Sequence, residues 1–121
     1  MSGTVMQVSG IESMDLNVKV IRPVGILDGT SSAQLRSEIN QLIAEGVRLV
    51  LVDLEEVSFM DSSGLGSLVL AFKSVQSVGG KLCVCSINDQ IKMVLELTSM
   101  DLVFDIFANR EAFDNAMLSQ A

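Results

Sequence analysis

Val57-Ser58-Phe59-Met60-Asp61-Ser62-Ser63-Gly64-Leu65-Gly66-Ser67-Leu68 sets an acidic residue, adjacent hydroxyls and a pair of glycines where a buried strand gives way to a helix. Upstream, Arg48-Leu49-Val50-Leu51-Val52-Asp53-Leu54 is a short, β-branched apolar run of the kind buried on both faces of a sheet. Downstream, Leu65, Leu68, Val69, Phe72 and Val75 recur at helical spacing. Asp61 or Ser62 is therefore the expected N-cap, with a side-chain oxygen accepting from a first-turn N–H. Each glycine in that turn disfavours the helix by about 1 kcal/mol against alanine, so another backbone or another molecule has to come close here. A serine with no bulk around it, at the positive end of a helix, is placed to receive a phosphate.

Outward from this junction, strands and helices alternate without a linker. Val5 to Val8 reads as a weak first strand, and Leu16, Val18 and Val20 alternate with Asn17 and Lys19 in a second that Pro23 closes. Leu35, Ile39, Leu42 and Ile43 mark a first helix that Gly46 stops. After the buried strand and the motif helix to about Val78 come a Gly79-Gly80 turn and a strand from Leu82 to Cys85. Ile91, Val94, Leu95 and Thr98 make a third helix, and Leu102 to Phe107 reads as a last strand. Asn109 caps a final helix that buries Phe113, Ala116 and Met117. Strands separated by helices imply parallel neighbours, while the first pair, with no helix between, is free to run antiparallel. The fold class is α/β, a mixed, mainly parallel sheet of about five strands.

The chain of 121 residues is one domain's worth, expected to span 1–121, and 49% hydrophobic content suits an ordered core. No apolar run approaches the roughly 20 residues that span a bilayer, and the N-terminus lacks the basic-then-apolar pattern of a secretion signal, so a cytoplasmic address is expected. A net charge of −7 repels phosphate backbones and anionic lipid, which argues against nucleic acid and membrane as partners and favours a protein with a basic or mixed face. Cys83 and Cys85 are the only cysteines, and with no histidine they cannot complete a metal site; both read as buried, reduced thiols.

The absence of histidine also removes the common Ser-His-Asp and Cys-His machinery. Met60 stands two places before Ser62, where a nucleophile elbow has glycine, and Val69 takes the third glycine position of a dinucleotide fingerprint. Asp53, Glu55 and Glu56 read as a solvated loop rather than a catalytic carboxylate group. No catalytic residue, cofactor or metal is expected, and the protein reads as a non-enzyme.

The run Phe59 to Gly66 resembles the signature of the STAS domain, and specifically of stand-alone bacterial anti-sigma factor antagonists. Gly25-Ile26-Leu27-Asp28, with Ser31 and Leu35 after it, is similar to that family's Gly-x-Leu-Asp turn into the first helix, and Gly79 to Cys85 to its Gly-Gly turn and next strand. The resemblance extends from about Met14 to Met117 and implies helices mainly on one sheet face. It further implies that Ser62, directly after the motif aspartate, is phosphorylated by a serine kinase that doubles as the anti-sigma factor. Ser63 is the competing hydroxyl. The implied partner surface comprises Asp28, Asp61, Ser62, Ser63, Gly64, Leu65 and Gly66, with Asp28 contacting the kinase. The unphosphorylated form would capture the anti-sigma kinase and free the sigma factor, and a metal-dependent serine phosphatase would restore it. The alternative within the same resemblance is a STAS module that regulates a transporter or senses a small ligand such as a nucleotide. Departures from the family pattern are Pro23, Ile26, and the Thr98-Ser99-Met100 stretch, which lacks a glycine at the end of the third helix.

Overall fold

The computed structural model describes residues 5–8 and 18–120. Leu16 and Asn17, part of the alternation read as the second strand, lie outside the described residues. The elements run β1 (Val5–Val8), β2 (Val18–Arg22), β3 (Gly25–Leu27), α1 (Gly29–Ala44), β4 (Leu49–Asp53), β5 (Val57–Met60), α2 (Ser62–Ser77), β6 (Lys81–Cys85), α3 (Asp89–Leu97), β7 (Asp105–Phe107) and α4 (Arg110–Gln120). The main sheet has five strands in the order β1-β2-β4-β6-β7, with β1 antiparallel to β2 and the other neighbours parallel. The mixed, mainly parallel α/β architecture expected from the helix-separated strands is the one observed.

Side chains alternate across each strand, so the central strands feed two cores. On one face Ile21, Val50, Val52, Leu82 and Val84 pack with Leu35 and Ile39 of α1, Leu68 and Val75 of α2, and Ile91 and Leu95 of α3. On the other face Val18, Val20, Leu51, Cys83 and Cys85 meet Phe113 and Met117 of α4. Burial on both sides explains why β4 and β6 are continuous apolar runs. Most helices thus cover one face, and α4 alone among the described helices covers the other.

The structure corrects the sequence reading in three places. The strand that hands over to α2 is β5, not the buried β4, and β5 pairs with β3 in a separate two-stranded parallel sheet. The Gly25–Leu27 segment, read as a turn, is therefore a strand. Second, the expected strand from Leu102 to Phe107 begins only at Asp105, and a 3-10 turn, Met100–Leu102, precedes it. Ser99 enters that turn at φ 61°, in the left-handed region, and so occupies the conformation for which glycine is preferred. Third, Asp53 is not part of a solvated loop: it is 3% exposed, its carboxylate accepts from the Glu55 N–H at 3.0 Å, and it lies 3.4 Å from Arg22 Nε. The same arginine reaches Glu55 and Glu56, both at 3.3 Å, so a buried carboxylate anchors the clamp and the two exposed ones close it.

Candidate functional site at the paired helix starts

The parallel β3–β5 pair delivers the chain into α1 and α2 side by side. Asp28 is the N-cap of α1: its Oδ1 accepts from the N–H groups of Thr30 at 2.9 Å and Ser31 at 3.2 Å, while Ser31 Oγ accepts from the Asp28 N–H at 3.0 Å. This reciprocal box satisfies orphan donors of the first turn. Asp61, one of the two residues the sequence offered, is the N-cap of α2, its Oδ1 accepting from the Gly64 N–H at 2.8 Å. The Asp61 N–H donates to the Leu27 carbonyl at 3.2 Å, and Ser32 Oγ donates to the Ser63 carbonyl at 3.2 Å, so the two helix starts are tied together.

The two glycines separate in role. A Cβ on Gly64 would stand 2.0 Å from the Leu27 carbonyl oxygen, whereas a Cβ on Gly66 would meet nothing within 4 Å. Gly64 is buried and lets β3 backbone press on the helix; Gly66 is exposed and leaves an open surface. Leu65 is buried, at 9% exposure, and belongs to the core beneath. Ser62 and Ser63 are exposed, and neither hydroxyl makes a hydrogen bond among the described residues. The Ser63 side chain turns toward α1, 3.9 Å from where a Gly29 Cβ would be.

Of the residues singled out in the sequence, Asp28, Asp61, Ser62, Ser63 and Gly66 therefore share one rim, with Gly64 and Leu65 under it. Sequence reasoning missed an open groove of about 620 Å³ along the outer face of α2, walled by Ser32 and Arg36 on one side and Thr98 and Met100 on the other. The signal for its first wall was available: Ser32 and Arg36 are four residues apart and so lie on one face of α1. Also missed were Asn88 and Gln90. The Gln90 amide exchanges two 2.9 Å hydrogen bonds with the Met60 backbone, and Asn88 Nδ2 donates to the carbonyls of Val57 and Ser58 at 3.2 Å. These side chains occupy the edge of β5 as a neighbouring strand would.

Away from the rim, burial pushes the Cys83 thiol up to about 11 and the Cys85 thiol up to about 12, with the neighbouring Asp53 charge adding to the rise at Cys85. Both are free thiols, as the sequence suggested, and are held protonated at neutral pH. Among the described residues no cluster of acidic or thiol ligands is arranged for a metal, and no helix is long and apolar enough to cross a membrane.

Comparison with known proteins agrees with this geometry. The STAS domain family profile matches residues 6–113. The anti-sigma-B factor antagonist of Bacillus subtilis is 31% identical over 106 residues, covering 81% of the chain and 96% of that relative. A crystal structure of a putative anti-sigma factor antagonist from Thermotoga maritima superposes with a TM-score of 0.80 at 22% identity, covering 96% of this chain and 92% of that one. The anti-sigma factor antagonist SpoIIAA in its unphosphorylated form gives 0.72 at 21% identity over 98% and 99% of the two chains. The Bacillus SpoIIAA structure in the phosphorylated form gives 0.68 at 23% identity over 93% and 98%. The chain belongs to the STAS domain family, among the anti-sigma factor antagonists.

Proposed function

We propose that residues 1–121 form one STAS domain that works as a phosphorylation-controlled partner switch in the cytoplasm, a binding protein and not an enzyme. In this reading the unmodified protein captures an anti-sigma factor that is also a serine kinase, and the sigma factor is released. The kinase transfers the γ-phosphoryl group of ATP to Ser62 Oγ, with loss of the hydroxyl proton and departure of ADP. A metal-dependent serine phosphatase then hydrolyses the ester with water and restores the binding form. The single observation that carries the reading is Ser62 itself: an exposed, unbonded hydroxyl directly after the capping Asp61, on a rim with Asp28 and Gly66.

The charge argument supplies the mechanism. Phosphorylation adds about −1.5 to −2 units, and first-turn N–H groups with the positive helix end favour such a group by up to about 2 kcal/mol, so the fold tolerates it. A partner docked over the rim would instead bury an extra anion beside Asp61, at a cost of several kcal/mol unless it brings a cation. The switch is then local electrostatics without refolding. Incubation with the cognate kinase and ATP, followed by peptide mass spectrometry, should locate the phosphate on Ser62. Titration calorimetry should show strong binding of the kinase to the unmodified form alone, with circular dichroism barely changed. Phosphate on Ser63, modification surviving in Ser62→Ala, or equal affinity of the two forms would refute the reading.

A further inference from the structure

The groove beside α2 holds one feature that partner switching leaves unused. Of the residues lining it, Arg36 alone is charged. Arg36 lies one helical turn beyond Ser32, whose hydroxyl reaches the Ser63 carbonyl at 3.2 Å, and so stands against the first turns of α2. Side chains on a helix lean toward its N-terminus, which carries the guanidinium back toward the rim. Ser62 and Gly66 are four residues apart on one face of α2, the space above Gly66 is open, and Arg36 and Ser62 line the same groove. Arg22, Lys81 and Arg110 hold carboxylates, whereas exposed Arg36, like Arg48, Lys73 and Lys92, forms no ion pair among the described residues, and of these four it alone lines the groove. A guanidinium fork also matches the acceptor oxygens of a phosphoryl group better than any other side chain.

We propose that Arg36 is the intramolecular counter-cation of a phosphoryl group on Ser62. This rests on Ser62 as the acceptor and adds what the fold does with the new charge. Pairing with Arg36 draws the phosphoryl group down over Gly66 into the groove and fixes its orientation. The modified face thereby differs from the unmodified one in shape as well as in charge. Asp61 acts in the opposite sense, but its carboxylate is turned into the helix start, on the Gly64 N–H. Ser63 lines the groove as well, but its side chain lies beside Gly29 at the start of α1, one residue further from the Ser62–Gly66 face.

The test uses full-length protein with phosphoserine installed at position 62 during translation, so that no kinase is needed. Phosphorus NMR titration reads the second ionisation of the phosphate in the otherwise unaltered protein, in Arg36→Gln and in Arg36→Lys. The amides of α2 contribute equally to all three, so the difference reports Arg36. The phosphate should ionise at a pH about 0.5 unit or more lower with Arg36 than in the Arg36→Gln variant, with Arg36→Lys in between. Salt near 1 M should shrink the difference between the Arg36 protein and the Arg36→Gln variant, because it screens the pair while its other effects on the phosphate are common to both. Equal ionisation in the Arg36 protein and the Arg36→Gln variant, or a difference that salt leaves unchanged, would overturn the pairing. A larger Arg36-dependent shift with phosphoserine at 63 would overturn its assignment to Ser62. Failure of a kinase to modify Ser62 would sink the functional reading and leave these titrations untouched.

Discussion

At the scale of single residues, Gly64 and Gly66 make the sharpest contrast in the molecule. A methyl group on Gly64 has to displace the Leu27 carbonyl, whose hydrogen bond to the Asp61 N–H ties β3 to the start of α2. Gly64→Ala should therefore lower stability by about 1–3 kcal/mol or more, read as a fall in the urea midpoint. Gly66→Ala meets open space in a helical conformation and should raise stability by about 0.5–1 kcal/mol. Equal effects of the two would contradict the geometry. The sequence showed that something must come close, but both glycines carry the same local penalty, so only the tertiary approach of Leu27 tells them apart. Asp28 offers a second test. Asparagine caps about as well as aspartate, and the accepting oxygen is retained. Asp28→Asn should leave the melting temperature within about 2 °C while weakening kinase binding roughly tenfold by calorimetry if the carboxylate charge contacts the partner. Unchanged affinity returns Asp28 to capping alone.

At the scale of elements, β5 depends on side chains borrowed from α3. Replacing Gln90 by alanine removes both partners of the Met60 backbone, beneath a residue whose side chain is fully buried. Gln90→Ala should lose about 1–3 kcal/mol in chemical denaturation, more than an ordinary exposed substitution, because a buried N–H and C=O are left without a bond. A loss within about 0.5 kcal/mol, the usual range of surface changes, would mean that water replaces the amide. The long helices and the doubly buried strands were legible because their apolar periods run over many residues. The strands β3 and β5 were not, since Gly25–Leu27 and Val57–Met60 are too short to display a period. The last strand was overextended for a related reason: Leu102 and Val103 look like core residues, yet Leu102 is 83% exposed on the turn that Ser99 opens.

Taken as a whole molecule, the sheet has one face built for helices that carry the rim and another that buries two thiols under α4. Ionising Cys83 and Cys85 in the native state is opposed by burial, up to about 11 and 12, while in the unfolded chain both ionise around 9.0. Their contribution to stability is fully present below about pH 9 and is lost as the pH rises toward 12, by at most about 1.4 kcal/mol per unit for each thiol. Lys81, raised by its hydrogen bond to Asp105, changes in the same direction, though this exposed pair adds little. The urea midpoint should hold from about pH 7 to 8 and fall between about pH 9 and 11, and a Cys83→Ala, Cys85→Ala protein should show a shallower fall. An identical slope would assign the alkaline loss to other groups.

The tie between the two helix starts also bears on how a kinase would read Ser62 under the proposed function. A kinase that works on peptide segments needs its target serine in an extended strand laid along a cleft. Here the Asp61 carboxylate holds the Gly64 N–H, Ser32 holds the Ser63 carbonyl, and Gly64 is pressed on Leu27, so drawing the chain around Ser62 into an extended strand would break these contacts. Under the proposed switch, the substrate would be a folded surface whose recognition draws on residues far apart in the chain, Asp28 among them. A linear peptide of residues 57–68 would carry every letter of the motif without the paired helix starts, and under the proposed function it should be a poor substrate beside the folded protein.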